Sequence, residues 1–433
     1  MRLRTSNLIV VVLTIIAVLI IPSVYLMTGG GFVVKNDINF WVIVGIIGTM
    51  SWTAWLIRRA YSLKYKPFIG DHSEPVSVVV PIWHEHPETF ITSIESITVN
   101  LRDGDEIICV FDATEHDCLE ALDDNYPAQA YPNIKRIIVT EPGKRHALVR
   151  GIREAHNDIT ILCDSDVVWA PNLVEEVLKP FADPAVGGVG TRQKVANVEE
   201  GLMRRIAMWW LNAKLLDYMP GLSNKGVAVV LSGRTAAYRR SYILPLLNDL
   251  ENEYLFGVKA LSGDDGRLTT LVMKAGYKTV YQSTAVLTSS FPIKFRDFVK
   301  QRVRWARNSN RCYYRALFEG WVFKKHPILP LTIIHTQISS FTILAPLTAT
   351  LYSVVMGEPL VFTSIFIWIN VARYIRGYNH LKENPGDVFL VPIVTLFLMV
   401  LFPVIKAYSL VTMNKQVWLG RTEKHDDYNW AVK

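Results

Sequence analysis

Apolar positions are spread unevenly along the chain. They concentrate in a block from Leu8 to Ile57 and in a second from Ile328 to Val411, and the region between has the mixed pattern of a folded domain. Within the first block, the run Leu8 to Met27 can cross roughly 30 Å of hydrocarbon at about 1.5 Å per residue. Phe40 to Ile57 reads as a second span, and the length of the first run with no small-residue cleavage site after it argues against a cleaved signal peptide. The second block holds three apolar stretches, Ile328 to Met356, Leu360 to Val371 and Val388 to Val411.

The middle region alternates two patterns. Val76 to Pro81 is an uncharged run bounded by Pro75, the signature of a strand buried on both faces. Similar runs recur at Glu106 to Phe111, Ile134 to Val139 and Ile159 to Cys163, with helix-like stretches between them at Glu88 to Asn100, Asp117 to Asp124 and Ala147 to Ala155. Such alternation predicts an open, mostly parallel α/β sheet, whose ligands bind beyond the carboxyl ends of the strands. The residues at those ends are Trp83-His84-Glu85, Asp112, Glu141 to Arg145, and Asp164-Ser165-Asp166.

Composition supports a membrane, soluble domain, membrane order. Half of the 433 residues are hydrophobic, which is high for a soluble protein. Arg2 and Arg4 precede the first span and Arg58, Arg59, Lys64 and Lys66 follow the second, so the positive-inside rule places the middle domain in the cytoplasm. The net charge of +7 is accounted for by basic residues beside spans, which meet lipid head groups, and by a pocket for a diphosphate; no nucleic acid is required. Cys109, Cys118, Cys163 and Cys312 lack metal-ligand spacing and are expected as reduced thiols. Three simple crossings in the second block would leave the C-terminus outside, whereas Lys406, Lys415, Arg421 and Lys424 favour the inside. Either the first stretch bends at Pro346, or a stretch around Pro392 or Pro403 is re-entrant.

Two acidic pairs and one basic-aromatic motif carry the candidate chemistry. Asp164-Ser165-Asp166 follows a strand and can hold a divalent cation that grips a diphosphate, although Asp-x-Asp also caps ordinary turns. Asp264-Asp265 precedes the helix-like stretch Leu268 to Ala275; such an Asp is either an N-cap or a general base for an acceptor hydroxyl. In Gln301-Arg-Val-Arg-Trp305, a guanidinium can neutralise a departing diphosphate and an indole can stack on a sugar ring, while in a basic interfacial helix both serve equally as lipid anchors. Phe291 to Lys325 mixes basic and aromatic residues and reads as one or two helices lying in the membrane interface with the basic face toward head groups; a solvated helix of the soluble domain is the alternative. Trp209-Trp210 reads first as part of a helix packed on the sheet or the membrane.

In this order, and followed by spans, these motifs resemble the processive family 2 glycosyltransferases, hyaluronan synthases most closely, with chitin and cellulose synthases as more distant relatives. The resemblance runs from about Pro75 to Lys424 and includes Gly143-Lys-Arg-His146, Ser232-Gly233, Val280 to Ala285 and the tail Tyr408-Ser-Leu with Trp418. It implies a GT-A, Rossmann-like cytosolic domain flanked by transmembrane helices. It implies Glu85, Asp112, Lys144 and Asp164 at the nucleotide, Asp166 on Mg²⁺ or Mn²⁺, and Asp265 as base within the Asp264-Asp265 pair. Arg304 would contact the diphosphate, and Gln301, Trp305 and the Ser232-Gly233-Arg234 loop would meet the acceptor. Trp418 and Arg421 would belong to a gating tail over the nucleotide. The chain departs from the family where Ser-Gly-Pro becomes Ser232-Gly233-Arg234, where Gly266 separates the acidic pair from Arg267, and where the tail reads Trp418-Leu-Gly-Arg421.

The expected layout is two N-terminal spans in 1–66, a GT-A domain in 67–288, interfacial helices in 289–326, C-terminal spans in 327–412 and a gating tail in 413–433. The expected activity is inverting, processive polymerisation of UDP-sugars onto a growing polysaccharide, hyaluronan or a related β-linked glycan, by a multi-pass protein of the plasma membrane in contact with its lipids. A non-processive transferase acting on a lipid acceptor, and a transporter or structural membrane protein with a degenerate domain, are the competing readings.

Overall fold

The computed structural model describes residues 38–415 apart from 142, 343, 356 and 358. The run Leu8 to Met27 and the tail with Trp418 and Arg421 lie outside the described residues. Helix α1 (Ile38–Ser62) covers the expected second span and leads into the α/β domain.

The apolar runs form strands where the pattern places them: β1 (Val76–Ile82), β2 (Glu106–Asp112), β3 (Ile134–Val139) and β4 (Ile159–Cys163). Helices α2 (Pro87–Thr98), α3 (His116–Asn125) and α4 (Lys144–Glu154) connect them, and β3-β2-β1-β4 pair in parallel. Because successive side chains on a strand point to opposite faces, Val79, Ile108 and Val110 join one core with α4, while Val78, Val80, Ile107 and Cys109 join a second with α2 and α3.

The sheet continues with β5 (Val167–Trp169), β6 (Val186–Val195), β7 (Thr235–Arg239) and β10 (Lys278–Ser289), giving eight strands in the order β3-β2-β1-β4-β7-β6-β10-β5. A separate small hairpin is formed by β8 (Tyr254–Leu255) and β9 (Val258–Lys259). The sheet is therefore mixed: β7 is antiparallel to both β4 and β6, and β5 to β10. The expectation of a mostly parallel sheet holds for β3-β2-β1-β4 and for the β6–β10 pair, and fails around β7 and at β5. The reason lies at the cleft edge, where Asp164 N donates to Arg234 O at 3.0 Å. The chain enters β7 beside the end of β4 and must run the opposite way, which places Ser232-Gly233-Arg234 against the first acidic pair.

Between β6 and β7 lies α5 (Leu202–Asn212), continued by a π-helical turn at Ala213–Tyr218 and by the short helix Met219–Ser223. After β9 come α6 (Asp264–Lys274), β10 and the 25-residue α7 (Phe295–Glu319). Three basic residues of α7 turn inward, contrary to a basic face directed wholly at head groups: Arg302, Arg311 and Arg315 are buried. Arg311 and Arg315 face a buried anion, Glu253, and Arg302 lies among aromatic rings.

The last block forms α8 (Ile328–Thr342), α9 (Leu344–Val355), α10 (Pro359–Arg376) and α11 (Val391–Val411). Pro346 lies in the first turn of α9, where a missing N–H costs no hydrogen bond. Pro403 sits inside α11 without interrupting it. Among the described residues one helical stretch, Pro385–Val411, is long and apolar enough to cross a membrane by length and composition, and Ile328–Ser339 is apolar but shorter. The end of α10 is keyed to α5: a Cβ at Gly377 would lie 2.3 Å from Trp209 Cζ2. The Trp209 ring centroid lies 4.5 Å from that of His380, which bonds Asp387 at 2.8 Å, and Asp387 in turn binds Arg205.

Candidate active site

The strand ends, the β7 entry loop, α6 and α7 enclose one cleft of about 620 Å³. Glu85, Asp112, Lys144, Asp164, Asp166, Ser232, Gly233, Arg234, Asp264, Asp265, Gln301, Arg304 and Trp305 all line it, so the described candidates for nucleotide, metal, base and acceptor contacts face the same space. Trp418 and Arg421 lie outside the described residues.

One wall is built from the parallel strands. Ser165 Oγ donates to Glu85 Oε2 at 2.9 Å, tying the ends of β4 and β1. Thr114 fixes Asp112 from its backbone N at 3.0 Å and its hydroxyl at 2.7 Å. At the start of α4, Lys144 Nζ lies 2.5 Å from Asp164 Oδ1 and 3.5 Å from Asp264 Oδ2, so one ammonium bridges the two acidic pairs. Burial alone would lower the Lys144 pKa, but the Asp164 and Asp264 carboxylates reverse this and raise it. Asp164 is raised by burial against the pull of Lys144, with Asp166 and Asp264 adding to the rise. A crowd of carboxylates on strand and helix ends is an all-oxygen donor set, and it fits a hard divalent cation shared with phosphates.

The second acidic pair opens α6. Gly266 N donates to Asp265 Oδ1 at 2.7 Å, and Gly233 N reaches Oδ2 at 3.4 Å, which holds the carboxylate toward the β7 entry loop. Behind the pair is a buried ionic cluster. Glu253, 2% exposed, is met by Arg145 at 2.7 Å, Arg315 at 3.4 Å and Arg267 at 3.9 Å. Arg145 also donates to Ser262 O at 2.8 Å and Gly263 O at 3.2 Å, and Arg311 donates to Ser262 O at 2.7 Å. Burial would raise the Glu253 pKa, but the guanidiniums of Arg145, Arg315, Arg267 and Arg311 hold it down at about 2. The cluster thus ties the Gly143-Lys-Arg-His motif, the acidic pair and α7 together.

The opposite wall is aromatic. The Trp305 ring lies 5.7 Å from Trp210 and 6.0 Å from Phe291, with the Arg302 guanidinium 4.4 Å from its centroid. The expected packing of Trp209-Trp210 is met by Trp209, which is buried, and by Trp210, which packs against the core and also lines the cleft. Consecutive helical residues point about 100° apart, so one indole is buried while the other is displayed. Sequence reading also passed over Lys214, on the π-helical turn at the cleft, whose pKa burial lowers while Asp265 pulls it back up. Its signal was a single cation within the apolar segment Met208 to Leu222, a segment that also carries Asp217. Glu253 carried no motif at all.

The model of the glycosyltransferase-like family 2 matches residues 73–308, more than half of the chain and all of the cleft up to Asn308. The chain belongs to this family. The fold is of the GT-A kind. A mannosyltransferase from Pyrobaculum calidifontis, solved in complex with GDP-mannose and Mn²⁺, superposes with a TM-score of 0.57 at 19% identity, over 86% of this chain and 99% of that one. The hyaluronan synthase of Streptococcus pyogenes is 26% identical over 382 residues, covering 87% of this chain and 90% of its own. An N-acetylglucosaminyltransferase of Azorhizobium caulinodans is 26% identical over 402 residues, covering 88% and 99%. The expected transferase activity class is thereby met, and the competing reading of a transporter or structural membrane protein with a degenerate domain is set aside.

Proposed function

We propose that the chain is a membrane-embedded, inverting glycosyltransferase that polymerises UDP-sugars into a β-linked polysaccharide of the hyaluronan type. The observation that carries this reading is the convergence of Asp166, Asp265 and the adjacent Arg304 and Trp305 on one cleft, from three separate parts of the sequence. Asp265 accepts the proton of the acceptor hydroxyl, whose oxygen attacks the anomeric carbon as the bond to the diphosphate oxygen breaks. Arg304 and Lys144 offset the charge that grows on the leaving UDP. Asp166, with Asp164 beside it, would hold Mg²⁺ or Mn²⁺, which supplies charge neutralisation at the diphosphate when bound. Glu85 and Asp112 sit where a base and ribose bind at strand ends, and Trp305 with Trp210 offers an indole platform to the acceptor sugar.

The reading also places α1, α8 to α10 and α11 in the plasma membrane, with the cleft on the cytoplasmic side and Trp418 and Arg421 in a tail over the nucleotide. Support comes from the apolar runs, from the stretch Pro385–Val411 and from the similarity to a hyaluronan synthase. The test is incubation of membranes holding the full chain with labelled UDP-sugars and a divalent cation. High-polymer label that a hyaluronan lyase digests supports the proposal; short, lipid-extractable label overturns processivity in favour of transfer to a lipid acceptor.

A further inference from the structure

A second cavity, of about 180 Å³, lies between α1, the π-helical turn and the end of α10. Arg58, Arg59, Arg373 and Arg376 line it, and Asp217 is the one carboxylate among its lining residues. Arg59 takes that carboxylate at 3.3 Å. Asp217 also attracts Arg58, so four guanidiniums share one carboxylate among the lining residues; Arg58 Nη1 meets His335 Nδ1 at 3.0 Å, and both terminal nitrogens of Arg376 lie 3.2 Å from Ser51 Oγ. Arg58 is 7% exposed, and the buried Nε atoms of Arg58, Arg373 and Arg376 have no hydrogen-bond partner among the described residues.

Burying guanidiniums without counter-charge is costly, and converging forks of N–H donors match the oxygens of a phosphate. We infer that this cavity is a binding site for a phosphate-bearing anion. The surroundings favour the head group of an anionic lipid. Arg58 and Arg59 follow the apolar run of α1, and Arg373 and Arg376 close α10, so all four stand at the ends of apolar helices where such head groups gather. The site adjoins the catalytic cleft. Tyr218 lines both cavities, and Lys214 and Asp217 of the same turn face one each. An occupant would therefore brace the wall that carries Lys214 and Trp210.

The lipid source rests on the membrane reading above; the anion site itself does not. The test measures thermal unfolding of the full chain in neutral detergent with added phosphatidylglycerol, phosphatidylcholine or inorganic phosphate at matched ionic strength. The expected result is a saturable rise of about 5 °C with phosphatidylglycerol only. This rise is abolished in Arg373→Gln/Arg376→Gln, and UDP still stabilises that variant. The same saturable rise with inorganic phosphate, again lost in the variant, supports the site and assigns a soluble ligand. An equal response to phosphatidylcholine, or a phosphatidylglycerol response that survives the substitutions, overturns the inference. Should the double variant fail to fold, retention of phosphatidylglycerol by Arg376→Gln and Arg376→Lys is compared by native mass spectrometry: loss in the first and retention in the second supports the site, and equal retention overturns it. No turnover is measured, so a missing anion effect and a missing transferase activity are separate results.

Discussion

Arg145 Nη2 lies 2.7 Å from Glu253 Oε2 and donates to the Ser262 carbonyl at 2.8 Å, so one guanidinium links a buried anion to the chain just before the second acidic pair. Lys144, its neighbour, reaches into the cleft toward Asp164 and Asp264. The residue that bridges the two acidic pairs and the residue that fixes the chain before the second pair are thus consecutive.

Replacing Glu253 by Gln leaves several guanidiniums buried without their counter-ion, and a loss on the order of 3 to 5 kcal/mol is expected. The pH dependence follows from a pKa held at about 2 against an ordinary 4.5. A depressed carboxylate stabilises the fold fully above its unfolded pKa, and this contribution, on the order of 3 kcal/mol, is lost as pH falls from about 4.5 toward 2. Thermal unfolding of the wild type and of Glu253→Gln between pH 7 and 3 checks both statements: the gap between them narrows as the pH drops.

Substituting Asp265 by Asn removes the proposed base while keeping an oxygen for Gly266 N. Transfer is expected to fall by about 10² to 10⁴-fold with UDP-sugar affinity within a few-fold of wild type. Product formation and donor binding are measured side by side, and undiminished polymer would remove the base assignment.

Trp305→Ala and Trp210→Ala both thin the aromatic wall. Loss of one ring contact of about 1.5 kcal/mol corresponds to roughly tenfold in acceptor use. Elongation is expected to suffer more than hydrolysis of the donor, and a kinetic comparison of the two reactions reads the difference. A Trp210→Ala enzyme that elongates normally would return that residue to a packing role.

Gly266 separates the acidic pair from Arg267, and a Cβ there would lie 3.1 Å from Cys312 Sγ on α7, closer than an ordinary van der Waals contact. Gly266→Ala should lower the melting temperature, and Cys312→Ala in the same chain should restore most of it, because the smaller side chain gives the methyl room. The double-mutant cycle reads this coupling directly.

Much of this architecture is legible in the residues themselves, and the failures have physical causes. The runs at Val76, Glu106 and Ile159 announce β1, β2 and β4 because strands buried on both faces are largely apolar, while the run at Ile134 announces β3 through its branched residues although it lies half-buried at the sheet edge. The reversed direction of β7 is not local information; it follows from where the chain re-enters at Asp164. Arg311 and Arg315 look like a solvated or lipid-facing basic face until Glu253, some 60 positions earlier, is brought beneath them. The acidic pairs and Gln301 to Trp305 could be assigned to one cleft from their order along the chain, whereas Trp210, Lys214 and Glu253 acquire meaning only in three dimensions.

The contact between Gly377 and Trp209 leaves no space for even a methyl group. A joint that tight cannot absorb displacement. Any tilt of α10 is handed through the Trp209 indole to the helix that also presents Trp210 to the cleft, so the two helices and the cleft wall move as a single lever.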